Sequence, residues 1–274
     1  MAKRIMVAVI FVPLLLWVIL LLPTFWWALI VTFISGMAAF ELLRATGEGK
    51  ITVPMGSVSL LSAVLIPMGN WFGQAVVTAC VCIFLVTAVS FWCAIRAYNE
   101  GDASIGLYHV MLTIFAGGII PLGLSALVQL HGMDHGRLLV LLAVLLTFVT
   151  DGAAYFGGVF LGRHRGITRV SPNKSLEGYI AGFVGGALFA VAYGAVIGAI
   201  EGCQVALVPL GLCGLLGALV TELGDLVFSF IKRQYGVKDY GHLLPGHGGM
   251  LDRFDSMIFC GPVVLFIVHH LPVF

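Results

Sequence analysis

The chain has 274 residues, of which 60% are hydrophobic and only 10% charged, and its mean hydropathy is +1.08. A soluble domain carries about 25% charged residues, so these values exclude an ordinary soluble protein and point to a polytopic membrane protein. The net charge of +1 and the lack of any basic run interleaved with aromatics give no sign of a nucleic-acid partner.

The first element is predicted at 5–22. It follows a basic MAKR start and is too long for the apolar core of a signal peptide, with no small-residue cleavage site after it, so it reads as a retained span. Further spans are predicted at 25–41, 51–69, 73–94, 107–130, 138–161, 178–200, 205–231 and 256–273, about nine in all at roughly 20 apolar residues each. The first two form a tight hairpin at Pro23 and Thr24. No internal repeat, low-complexity tract or soluble domain interrupts the series. The expected fold is an all-α polytopic integral membrane protein, a single membrane domain over 1–274. Residues 1–137 are mainly scaffold, and 138–274 carry the chemistry-bearing loops. The six cysteines lie in or beside apolar runs without a C-x-x-C pair and read as packing residues, so neither disulfides nor zinc are expected.

Charge orients the chain. Of the 14 Lys and Arg residues, all but Arg137 fall on one side of the predicted spans. The positive-inside rule places that side, with the N-terminus and the loops 162–177 and 232–255, in the cytoplasm. The expected location is the inner (plasma) membrane.

Three acids stand inside spans: Asp151 in FVTDGAAYFGG, and Glu222 and Asp225 in VTELGDLVFSF. Each costs about 2.5–3.5 kcal/mol at mid-bilayer if it faces lipid, so they are expected to face a polar interior and a cation. At about 100° per residue, Glu222, Asp225, Ser229 and Arg233 share one helix face, and Asp151 and Tyr155 lie one turn apart. A buried structural hydrogen-bond network is the alternative. Carboxylates and hydroxyls without a His/Cys cluster suit a hard ion such as Mg²⁺, which keeps substrate phosphates among its ligands. Loop 162–177 brings four basic residues and several hydroxyls beside a helix start at Ser175, where free N–H groups favour anions. It reads as a phosphate or headgroup clamp or, on charge alone, as an ordinary positive-inside loop. Loop 232–255 contains LPGHGGMLDRFD. Its glycines let backbone approach a ligand, Asp252 and Asp255 share a face if a helix begins there, and Arg253 can pair with phosphate. His247 is a candidate base, though a lone loop histidine is more often a hydrogen-bond partner.

From Ser229 to Asp255, SFIKRQYGVKDYGHLLPGHGGMLDRFD resembles the signature of phosphatidate cytidylyltransferases. The pattern S-x-apolar-K-R, then K-D-x-small, then apolar-P-x-H-G-G-apolar-x-D-R-apolar-D is filled at every fixed position. DGAAYFGGVFLGR at 151–163 and SPNKSLEG at 171–178 look like the same family. The resemblance implies transfer of a cytidylyl group from CTP to phosphatidate, giving CDP-diacylglycerol and pyrophosphate, with Mg²⁺ as cofactor. It also implies a funnel-shaped site open to cytoplasm and membrane lipid, and a homodimer. On this basis Asp225 and Asp252 are expected to hold Mg²⁺, with Asp255 supporting them or taking a second cation. Lys232, Arg233, Lys238 and Arg253 are expected on the triphosphate and the lipid phosphate. Ser171, Lys174, Ser175 and Glu177 would complete the clamp, Asp151 and Tyr155 would line the site, and Ser229, Asp239, His247, Gly248 and Gly249 would contact substrate.

Three rivals are weaker. A CTP-dependent lipid kinase would need similar parts but would move the γ-phosphoryl group. A CDP-alcohol phosphotransferase needs alanine at Tyr155, arginine at Phe156 and a downstream aspartate pair. A transporter would show polar residues in both halves, whereas here they crowd into the second.

Overall fold

The computed structural model describes residues 13–202, 204–243, 248–271 and 273. Residues 13–21 are helical, and eight further helices follow. They are α1 Thr24–Thr46, α2 Val53–Trp71, α3 Ala75–Asn99, α4 Leu107–His131, α5 Gly136–Phe160, α6 Leu176–Glu201, α7 Leu207–Gln234 and α8 Leu251–His270. The seven helices α1–α7 are long and apolar enough to cross a membrane. The protein is therefore an all-helical, multi-pass membrane protein, as its composition requires. The expected count of about nine is not reached among the described residues. The first expected span, 5–22, lies outside them at residues 5–12, and α8 carries Asp252, Arg253 and Asp255 in its opening turns.

The helices form two compact units. The first comprises Met1–Gly132 and Gln234–Phe254, and the second Met133–Arg233 and Asp255–Phe274. In the first unit α2 packs between its neighbours α1, α3 and α4. Two of the unit's buried rings find polar partners, as apolar surroundings favour. Trp27 is 1% exposed and donates its indole N–H to the Leu127 carbonyl at 3.0 Å. The His131 ring lies 6.0 Å from the Trp27 ring, with Nδ1 3.0 Å from the Thr24 hydroxyl and Nε2 3.3 Å from the Ile19 carbonyl.

The middle of α4, Phe115–Ile119, is wound as a π-helix. Such a turn leaves carbonyls poorly bonded within the helix. Two α2 hydroxyls serve this region, Ser59 donating to the Thr113 carbonyl at 3.1 Å and Ser62 to the Gly117 carbonyl at 2.5 Å. A side chain on Gly117 would collide with Ser59 at 2.7–2.8 Å, so this close approach requires glycine.

In the second unit α5 and α6 run against each other over most of their length. Small residues make the contact, the usual means of bringing helices together where lipid removes the hydrophobic drive. A Cβ on Gly186 would meet Ala218 at 2.7 Å and Thr150 at 2.9 Å, and one on Gly214 would meet the Gly186 carbonyl at 2.5 Å. The backbones of α6 and α7 therefore nearly touch. α6 begins at Ser175, whose hydroxyl accepts from the Gly178 N–H at 3.1 Å, and ends at Gly202, with φ +67°. These are a helix N-cap and a left-handed stop.

Candidate active site

The second unit contains a cluster of acids organised by one lysine. Glu222 and Asp225 stand one turn apart on α7, on the face predicted from their spacing. Lys174, from the loop before α6, places its ammonium 2.5 Å from Glu222 Oε2 and 2.7 Å from Asp225 Oδ2. The lysine is a quarter exposed, and Glu222 is almost fully buried. Burial alone would disfavour the charged ammonium, but Asp225 and then Glu222 outweigh it and raise the Lys174 pKa above the ordinary lysine range. The ring of Tyr179 lies 5.2 Å beneath the same ammonium. Asp151 on α5 is within electrostatic reach of Asp225, Glu222, Lys174 and Asp255. Two carboxylates thus contact the lysine directly, and Asp151 lies within electrostatic reach of it.

The loop 161–175 is shaped by groups expected to clamp substrate. Glu177 accepts from the backbone N–H groups of Arg163, at 3.1 Å, and His164, at 3.2 Å, and its carboxylate meets the His164 ring at 2.5 Å. Ser175 is buried and spends its hydroxyl on capping α6. Ser171 holds the turn before Lys174, its carbonyl accepting from the Lys174 N–H at 3.1 Å. Arg233, at the end of α7, directs Nε to the Val170 carbonyl at 3.4 Å. Lys232 and Ser229 lie on the same helix, half-buried. Tyr155 is 67% exposed and packs edge-on against Phe156, at 5.4 Å between ring centroids.

The signature segment belongs largely to the first unit. Tyr235 stacks on Tyr108 at 5.6 Å, fixing the start of the segment. Asp252 is 7% exposed, and its Oδ2 accepts from the N–H groups of Tyr240 at 2.8 Å and Gly249 at 3.0 Å. Gly248 has φ +83°, and a Cβ there would stand 2.9 Å from Asp252 Oδ2 and 3.2 Å from Asp239 Oδ1. Backbone conformation and space both call for glycine at that position. Lys238 and Arg253 are exposed. α8 begins at Leu251, as the sharing of a face by Asp252 and Asp255 requires. In the second unit Asp255 is 8% exposed and accepts the Ser256 N–H at 2.7 Å. His247 lies outside the described residues, with its neighbours 244–246.

One residue was not singled out from the sequence. Glu41, 4% exposed on α1, accepts the N–H groups of Met250 and Leu251 at 3.0 and 2.8 Å. The signal was present in a carboxylate inside the apolar run GMAAFELL, the same criterion that marked Asp151. Gly249, expected to contact substrate, faces this carboxylate, which a side chain at 249 would strike.

A hard cation, as the sequence suggests, needs oxygen ligands. Among the described residues no three His, Cys, Asp or Glu side chains form a ready-made metal cage. The oxygens fit such an ion in kind. Glu222 Oε1 is buried without a hydrogen-bond partner among the described residues, and Lys174 pairs with Glu222 Oε2 and Asp225.

Comparison with known proteins agrees with the signature. A family described as the cytidylyltransferase family matches residues 2–271. The phosphatidate cytidylyltransferase of Bacillus subtilis is 29% identical over 238 residues, 85% of each chain. That of Synechocystis is 33% identical over 264 residues, 85% of this chain and 84% of the relative. The uncharacterised protein YnbB of Escherichia coli is 38% identical over 176 residues, 62% of this chain and 57% of its own length.

Proposed function

We infer that this chain, which belongs to the cytidylyltransferase family, transfers the cytidylyl group of CTP to phosphatidate, giving CDP-diacylglycerol and pyrophosphate. The match over residues 2–271 carries the reading, and relatives named for this activity that align along most of their length support it. A phosphatidate phosphate oxygen attacks the α-phosphorus of CTP, the bond to the β-phosphate bridge breaks, and pyrophosphate leaves. Positioning and charge stabilisation are what such a transfer asks of a protein.

Mg²⁺ is the proposed cofactor; Asp225 and Asp252 are its candidate ligands, and Asp255 would support them or take a second cation. When bound it neutralises phosphate charge. Lys232, Arg233, Lys238 and Arg253 take the phosphates of CTP and lipid. Lys174, placed against Glu222 and Asp225, supplies their counter-charge and holds them in place. Ser175 and Glu177 act by shaping the loop that carries Lys174 rather than by touching substrate.

Purified protein given CTP and phosphatidate is expected to release pyrophosphate and form a cytidine-bearing lipid. Chelation of divalent metal should stop both and added Mg²⁺ restore both. Full turnover after exhaustive chelation would remove the metal from the account.

The chain is proposed to lie in the plasma membrane as a homodimer, with the N-terminus and the two polar loops in the cytoplasm. Arg137→Ala, on the far side, is then expected to keep activity within about twofold of wild type, as surface changes away from a site do. A large loss would contradict the orientation. Light scattering of the detergent-solubilised protein reads the dimer, and a monomer with full activity would remove it.

A further inference from the structure

A carboxylate buried in a membrane helix is expensive unless both oxygens are bonded. Glu41 satisfies this condition through one target. Oε1 accepts from the Met250 N–H and Oε2 from the Leu251 N–H, 209 and 210 positions along the chain. These N–H groups open α8, where a helix has no acceptors of its own and where its dipole favours negative charge. The turn held in this way carries Asp252 and Arg253.

The surrounding backbone is shaped to admit the carboxylate. A Cβ on Gly249 would collide with Glu41 Oε2, and one on Gly241 with Oε1. Neither glycine has positive φ, unlike Gly248. Conformation therefore does not call for glycine at 241 or 249, whereas room for Glu41 does. Asp252 holds the Gly249 N–H from the other side, so the Gly249–Leu251 backbone is fixed by two carboxylates at once.

We propose that Glu41 is a positioning residue for cytidylyl transfer: a carboxylate from α1 that caps α8 and sets the placement of Asp252 and Arg253, with Gly241 and Gly249 small to admit it. The proposal rests on the reading of the signature segment as catalytic. The wild-type assay tests that reading, and the variants test this one.

The experiment measures kcat per folded molecule and KM for CTP in the full-length protein in detergent, with folding checked by size exclusion. Glu41→Ala is expected to lower kcat about 100-fold, the cost of a small misplacement of reacting groups, with KM for CTP nearly unchanged. Glu41→Gln, isosteric and keeping one acceptor, should fall in between. It carries the test if the alanine variant does not survive extraction. Gly249→Ala should be comparably damaging alone but add little to Glu41→Ala, because its collision partner is then gone. Wild-type kcat per folded molecule in either Glu41 variant, or strictly additive losses in the double variant, would overturn the proposal.

Discussion

Asp225→Asn and Asp252→Asn are each expected to cut cytidylyl transfer by at least about 100-fold, the scale of losing one charge-stabilising group, while leaving extractable, folded protein. The substitution suits both sites because it removes charge and keeps shape. At Asp252 an amide oxygen can still accept the Tyr240 and Gly249 N–H groups now held by Oδ2, so the signature segment stays anchored. At Asp225 an amide oxygen can still meet the Lys174 ammonium, now 2.7 Å away. Any loss then reports on the missing negative charge rather than on a collapsed loop. Turnover near wild type in either variant would refute the proposed metal assignment.

Lys174→Met is expected to damage both stability and activity. It leaves Glu222, 3% exposed, and Asp225 without their cation, and removing one partner of a buried pair costs about 3–5 kcal/mol. The quarter exposure of Lys174 places the effect at the lower end of that range, read as a fall in the unfolding temperature in detergent. Adding Glu222→Gln removes one uncompensated charge and should recover much of the stability without recovering activity. A Lys174→Met protein as stable as wild type would mean that the acids around it do not rely on its charge.

The transmembrane helices were legible because burial in lipid imposes long apolar runs, and their predicted limits fall within three residues of the observed ones for α1 to α7, except that α1 and α3 each run five residues further, to Thr46 and Asn99. The shared face of Glu222 and Asp225 followed from helical spacing alone. α8 begins five residues earlier than predicted, at Leu251 rather than 256, because the acids that lower its hydropathy are the ones its first turns are built to present.

Glu41 escaped notice for a different reason. A single acid inside an apolar run marks a polar contact without naming it, and its partners lie 209 and 210 positions away, where no spacing rule reaches. The same distance hid the purpose of Gly249, whose smallness serves a carboxylate from another helix. Lys174 was expected on phosphate from its charge. Its place against Glu222 and Asp225 follows from the need of buried acids for a counter-charge, which is a property of packing and not of local sequence. Ser175 and Glu177, expected to complete a substrate clamp, cap a helix and pin a loop, roles open to any hydroxyl or carboxylate beside a helix start.

The most direct test of the central claim follows the fate of each phosphate of CTP. Purified protein receives phosphatidate, Mg²⁺ and CTP labelled at the α- or the γ-phosphate. Cytidylyl transfer predicts α-label in the lipid and γ-label in released pyrophosphate. γ-Label in the lipid, with the α-label left in CDP, would contradict the account and make the enzyme a lipid kinase.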